Sequence, residues 1–274
     1  MSWLECRRGH RLWYEEHGSG TPLLFIHGWC MSSAVWNLQQ ESLSHTFRVI
    51  TLDLTGHGNS PPQTDAFTID GCAADVADLI GHLDLYHAII AGWSLGAFIA
   101  VETCLLCKDR VAGLVLISGT PQFVQSEGFP HGLPQADVDG MAKKVHRSLR
   151  RALDGFFARM FAPGEESFES IQALLASIPQ PQTDVALQAL EALVTSDMRD
   201  RLTMIQVPTL VLHGDCDVIC LPKASHFLAQ KIPHSCQVVF SGCGHVPFLT
   251  QSIKFNACLD DFKGRVIGAS YQQV

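Results

Sequence analysis

Apolar and polar positions along the chain follow two kinds of pattern. Short apolar runs predict strands within Leu4 to Glu16, where two of them flank Arg8-Gly9-His10, at Thr21 to Ile26, at Phe47 to Leu54, and at His87 to Gly92. Between Thr68 and Leu83 the apolar residues recur instead at helical spacing, with Thr68 as N-cap. The run at His87 to Gly92 leads directly into Ser94 and a helical segment reaching about Cys107, after which Val111 to Ser118 reads as one more buried strand. Strands that are apolar at nearly every position and alternate with helices predict a parallel sheet covered on both faces.

Near Thr120 the alternation stops. Pro121 to Asp197 holds helical segments, several prolines and no convincing strand, which predicts an inserted helical cap. Strand character returns at Val207 to His213 and at Gln237 to Ser241, and a last helix is expected near Ile253 to Lys263. The expected architecture is an α/β fold with residues 1–120 and 198–274 as the two parts of one core and 121–197 as the cap. A chain of 274 residues is long enough for one large domain of this kind.

Composition removes several classes of function. Hydrophobic residues at 47% and charged residues at 17% are ordinary for a globular chain and far from disorder. A formal charge of −8 argues against a general affinity for nucleic acid or anionic membrane, since both require clustered Lys and Arg. The longest apolar stretch, Ala88 to Val101, falls short of the ~20 residues that span a bilayer. Met1-Ser2-Trp3-Leu4-Glu5 lacks the pattern of a signal peptide, so a cytoplasmic location is expected. In such a reducing compartment the ten cysteines read as small hydrophobes. Cys104 and Cys107 form a C-x-x-C inside a helical pattern with no second pair to complete a zinc site, so neither metal nor cofactor is expected.

The chemistry is carried by a few short segments. Gly92-Trp93-Ser94-Leu95-Gly96 matches G-x-S-x-G after a strand and before a helix, the setting in which a sharp turn lifts a serine hydroxyl above a sheet. That hydroxyl needs a base to take its proton, and the base needs an orienting carboxylate. After the strand Thr209-Leu210-Val211-Leu212 the loop His213-Gly214-Asp215-Cys216-Asp217 offers two carboxylates. Asp217 is preferred by its G-x-x-D spacing, with Asp215 as the alternative, whose other role would be to bond loop amides. Gly242-Cys243-Gly244-His245 presents one histidine after a late strand, in the chain order serine, acid, histidine, and makes His245 the base among thirteen histidines. Backbone N–H groups of Trp29 and Leu95 are the candidate oxyanion donors, and His27 is read as fixing the loop that carries Trp29.

Together with Asp53-Leu54-Thr55-Gly56-His57-Gly58-Asn59-Ser60, these residues resemble the α/β-hydrolase superfamily along nearly the whole chain. Within it the chain most resembles the pimeloyl-[acyl-carrier protein] methyl ester esterases of biotin synthesis, through His27-Gly28-Trp29, Gly92 to Gly96, Leu174-Leu175-Ala176-Ser177-Ile178-Pro179 and Asp197-Met198-Arg199. The resemblance implies a serine esterase acting on an acyl chain attached to an acidic carrier protein. Such a substrate calls for an apolar channel, with Trp29, Trp93, Phe123, Phe156 and Phe157 as candidates against a plain core role for some of them. It also calls for a basic exterior, which Lys143, Lys144, Arg147, Arg150 and Arg151 would supply if they are more than a solvated helix face. Phe156 and Arg151 match family positions, whereas Gly155 stands where a second family arginine is expected. A monomer is expected. The rivals are a general short-chain carboxylesterase without a carrier and a non-catalytic binding protein on the same fold.

Overall fold

Among the described residues the apolar runs assemble into an eight-stranded sheet. A computed structural model describes residues 2–165 and 169–271 of the chain. The strands are β1 (Ser2–Glu5), β2 (Arg11–His17), β3 (Thr21–Ile26), β4 (Phe47–Asp53), β5 (Ala88–Trp93), β6 (Val111–Ile117), β7 (Thr209–Gly214) and β8 (Ser235–Phe240). Their spatial order is β1-β2-β4-β3-β5-β6-β7-β8; the β1–β2 and β2–β4 pairs are antiparallel and every pair from β4–β3 through β7–β8 is parallel. Strand β5 lies mid-sheet and is buried at all positions, which is why its sequence shows no alternation. The direction of winding reverses at β3 and β5, and in open α/β sheets ligands bind beyond the carboxyl ends of the strands at that reversal.

Among the described residues there are ten α-helices: α1 (Asn37–Leu43), α2 (Ile69–His82), α3 (Leu95–Leu106), α4 (Gln135–Arg147), α5 (Leu149–Ala158), α6 (Glu169–Ser177), α7 (Thr183–Thr195), α8 (Pro222–Lys231), α9 (Pro247–Thr250) and α10 (Ser252–Tyr271). Helix α2 packs on α3, and α1 packs on α10. Thr68 caps α2 by accepting from the Gly71 N–H at 3.0 Å. Helices α4 to α7 all fall between β6 and β7, where the sequence predicts a cap. The two ends of that excursion meet in an antiparallel bridge, Gln122 to Asp197, beside a bond from Met198 N–H to the Pro121 carbonyl at 2.9 Å. Among the described residues no helix is long and apolar enough to cross a membrane. All ten cysteines are free thiols, with Cys216 exposed and Cys104 buried within α3.

Where sequence periodicity and structure differ, the cause is visible. Helix α8 was not expected, because only Ala224, Ser225 and Leu228 of its ten residues are buried and no apolar stripe results. Helix α10 extends beyond Lys263, and Val266 still packs against the sheet near Gly113. Helix α1 was missed because its inward face is polar. There Gln39 is wholly buried, its Nε2 donating to the Phe248 carbonyl at 2.8 Å and to Asn256 Oδ1 at 3.2 Å, and Gln40 Nε2 donates to Thr51 Oγ1 at 2.8 Å. Gln39 thereby links α1 to α9 and α10. Replacing Gln39 with Ala strands the Phe248 carbonyl and leaves a cavity, so it should lower stability by about 2 kcal/mol, read as a lower urea midpoint at unchanged slope.

Candidate active site

Strand β5 ends at Trp93 and α3 starts at Leu95, so Ser94 alone makes the reversal. It does so at φ 55° and ψ −113°, a left-handed backbone that a non-glycine residue holds only under tertiary constraint. Its N–H donates to the Ile117 carbonyl at 3.0 Å. The flanking glycines are required by close approach: a Cβ on Gly92 would stand 2.1 Å from the Gly96 carbonyl oxygen, and one on Gly96 would stand 2.3 Å from that of Ile26. The turn places Ser94 at the amino end of α3, whose partial positive charge favours an anion there.

The loops after β7 and β8 bring Asp217 and His245 together. His245 Nδ1 donates to Asp217 Oδ2 at 2.7 Å, and both side chains are buried. The other oxygen, Oδ1, accepts from the N–H groups of Ile219 at 2.8 Å and Cys220 at 3.1 Å. A second histidine joins them. His213 Nε2 lies 3.2 Å from Asp217 Oδ2 and 2.7 Å from the Cys220 carbonyl, so it donates to both. Burial alone would raise the Asp217 pKa, but the charge of His245 and the bonds from His213 and His245 outweigh it and hold the carboxyl well below the usual carboxylate range.

Asp215 is turned elsewhere. Its Oδ1 accepts from Gly242 N–H at 2.7 Å and Cys243 N–H at 3.4 Å, tying the two loops together from the solvent side. His245 Nε2 is buried and carries no hydrogen-bond partner among the described residues, so the Ser94–His245 bond is open in this structure. Such bonds often close only around substrate. The main chain of His245 is held by its N–H donating to the Met160 carbonyl at 2.7 Å and by its carbonyl accepting from Trp93 Nε1 at 3.0 Å.

Strand β3 delivers His27-Gly28-Trp29 to the same edge. The Leu54 N–H donates to His27 Nε2 at 3.0 Å, which leaves Nδ1 to carry the proton and donate to the Gly28 carbonyl at 2.8 Å. His27 thus fixes the loop. Trp29 follows β3, and Leu95 opens α3, where the first N–H groups of a helix have no intrahelical acceptor. The Trp29 indole N–H donates to the Ala186 carbonyl of α7 at 2.8 Å, and its ring meets Phe156 of α5 edge-on at 5.1 Å.

The remaining aromatic candidates separate. Trp93 lies beneath His245, 1% exposed and packed against Trp36 and Phe248, which is a core position. Phe123 is buried, and Phe157, next to Phe156, faces a different groove together with Phe161 and Leu175. Between α4 and α5 runs an open groove of about 560 Å³ lined by Phe156, Lys144, Arg147, Arg151 and Arg159, with Asp137 opposing them. Lys143 and Arg150 are exposed but do not line it. Arg159 was not foreseen from the sequence, although it stands one helical turn after Gly155, which also lines the groove. His213 was also missed, since a histidine ending a strand carries no signal until its neighbour in space is known.

Away from this centre, Cys6, His10 and Asp75 each bring one donor atom within 4.8 Å of the others. His10 Nε2 at 2.9 Å and Arg8 Nη1 at 3.4 Å both meet Asp75 Oδ2, while burial and the Asp75 charge push the Cys6 thiol up to about 12. The protein's own donors meet the carboxylate, and the group ties the β1–β2 hairpin to α2.

Residues 21–252 match the family model of the alpha/beta hydrolase fold. The chain is 35% identical over 250 residues to the pimeloyl-[acyl-carrier protein] methyl ester esterase of Nitrosomonas europaea, covering 90% of this chain and 97% of that one. It is 30% identical over 251 residues to the protein of the same name from Nitrosospira multiformis, covering 90% and 95%. Among solved structures, an esterase from Exiguobacterium antarcticum superposes with a TM-score of 0.89 at 26% identity, covering 95% of this chain and 98% of that one.

The loops after β3 and β4 bring together a buried histidine pair, with the His27 and His57 rings 5.4 Å apart. Burial, countered only in part by the bond to Gly28, pulls the His27 pKa down to about 4; burial and then the His27 charge pull His57 to about 3. Both groups bind protons in the unfolded chain near 6.5 that the folded chain refuses. Their contribution to stability is therefore complete above pH 6.5 and is lost as pH falls from there toward 4 and 3. Urea unfolding at about pH 5 should show a loss on the order of 2 kcal/mol per histidine relative to about pH 7.5, and His57→Gln should flatten that dependence.

Proposed function

The chain belongs to the alpha/beta hydrolase fold family and is a carboxylic ester hydrolase, and from that premise we propose that it cleaves the methyl ester of pimeloyl-[acyl-carrier protein] through an acyl-enzyme on Ser94. The observation that carries the catalytic part is the buried Asp217–His245 bond beside a serine held at left-handed φ. Ser94 Oγ attacks the ester carbonyl as His245 Nε2 accepts its proton, and Asp217 stabilises the imidazolium while keeping the ring in its tautomer. The oxyanion that forms is met by the N–H groups of Trp29 and Leu95. His245 then returns the proton to the departing methoxide, methanol leaves, and water repeats the cycle on the acyl-enzyme to release the free carboxylate.

The substrate is argued from the cap and from the names of the two relatives. Phe156 lines the cationic groove and touches Trp29, so one aromatic contact connects the outer surface to the oxyanion loop. An acyl chain following that route would leave an acidic carrier against Lys144, Arg147, Arg151 and Arg159. Direct comparison of pimeloyl-carrier methyl ester with a free methyl ester of equal chain length tests this. A higher kcat/KM for the carrier-linked ester is expected, and equal values would make the chain a general carboxylesterase.

Two further outcomes follow. Ser94→Ala and Asp217→Asn should each lower kcat by about 10⁴ or more in a folded protein, whereas Asp215→Asn should cost less than about 10-fold. The reverse ranking of the two aspartates would move the acid to Asp215. Exposed charges act collectively and are screened over a Debye length of ~8 Å. Reversing Arg147 and Arg151 together should raise KM for the carrier-linked ester at least about 10-fold at low salt, with the gap closing as ionic strength rises and little change on a small ester.

A further inference from the structure

Glu165 belongs to the cap segment after α5 and has no place in the mechanism above. It is 7% exposed, and among the described residues no Lys, Arg or His forms an ion pair with it. Acidic side chains are rarely buried this deeply without a cationic partner, because desolvating the charge is costly. Its Oε2 accepts two main-chain bonds instead, from Ala162 N–H at 2.9 Å and from Gly244 N–H at 2.8 Å. The first, with Glu165 N–H donating to the Ala162 carbonyl at 2.9 Å, closes the Ala162–Glu165 turn on itself. The second crosses from the cap to the residue that precedes His245.

Next to it, the His245 N–H donates to the Met160 carbonyl of the same cap segment. Two successive peptide groups of the loop, those of Gly244 and His245, are thus held by residues 160–165. Loop Gly242-Cys243-Gly244 is glycine-rich and has little stiffness of its own, so an outside clamp is what can hold its main chain in one conformation. A charged acceptor makes that clamp stronger than a neutral one.

We propose that Glu165 is a positioning residue for His245: its carboxylate fixes Gly244, Met160 fixes the His245 N–H, and Asp217 fixes the ring. The proposal rests on the reading of His245 as the base. It makes the cap a structural part of the catalytic centre as well as its cover.

The test uses a nitrophenyl ester, which needs no carrier, together with the rate at which a fluorophosphonate modifies Ser94. Glu165→Ala and Glu165→Asp, the latter one methylene too short to reach Gly244, should lower kcat and the phosphonylation rate in parallel by about 10- to 100-fold, with KM within about 3-fold. Glu165→Gln keeps an acceptor oxygen in place and should recover to within about 5-fold of wild type, a rescue that loss of the charge alone would not permit. Thermal unfolding establishes that each variant is folded at the assay temperature; should Glu165→Ala not fold, the Asp and Gln variants decide. Wild-type kcat in Glu165→Asp, or a Gln variant no better than Asp, overturns the proposal. Ser94→Ala and His245→Ala run beside them: if those retain turnover the reading of the site itself has failed, whereas inert controls with unaffected Glu165 variants sink only this inference.

Discussion

The arrangement depends on keeping one carboxylate charged where there is no water. Asp217 sits under both loops at the carboxyl edge of the sheet, and an isolated charge there would be neutralised or expelled. Donors from His245, His213, Ile219 and Cys220 meet its two oxygens and make the charge tolerable. Those donors come from the end of β7, from the loop after it and from the loop after β8. Satisfying the carboxylate therefore fixes the relative position of all three, and the His245 ring takes its orientation from that requirement. Asp215, on the outer side of the same loop, does an ordinary turn residue's work by bonding Gly242 and Cys243.

Closure of the centre has the same logic. Ser94 is 6% exposed and His245 wholly buried, beneath a cap that reaches down through the Trp29–Ala186 bond, the Trp29–Phe156 contact and the bonds from residues 160–165. Excluding water lowers the local dielectric and strengthens each donor aimed at the reacting group. The segment that covers the site also bonds the main chain of Gly244 and His245.

Charge is distributed unevenly over the molecule. The chain carries −8 overall, yet four cationic side chains face one groove of the cap against the single carboxylate of Asp137. A field of that sign on an acidic protein favours an acidic partner and discourages nonspecific association with other anions elsewhere on the surface. The groove's contact with Phe156, and through it with Trp29, gives the cationic surface a physical connection to the loop after β3.

Much of this was legible in the sequence because it depends on local order. The buried parallel strands appear as unbroken apolar runs, the elbow as glycines at fixed spacing around Ser94, and the α2 cap as Thr68, since each follows from the chain's own periodicity or φ requirements. The choice of Asp217 over Asp215 was open in the sequence, and the structure brings only Asp217 to His245, because two aspartates two residues apart differ in which loop face they occupy. Helix α1 hides its burial behind glutamines that are satisfied only by Phe248, Asn256 and Thr51. Trp93 in the core, Arg159 in the groove, His213 on Asp217 and Glu165 on Gly244 were likewise decided by tertiary structure alone. In each case the partner lies on another element, and no pattern along one stretch of chain records where a distant donor or acceptor will arrive.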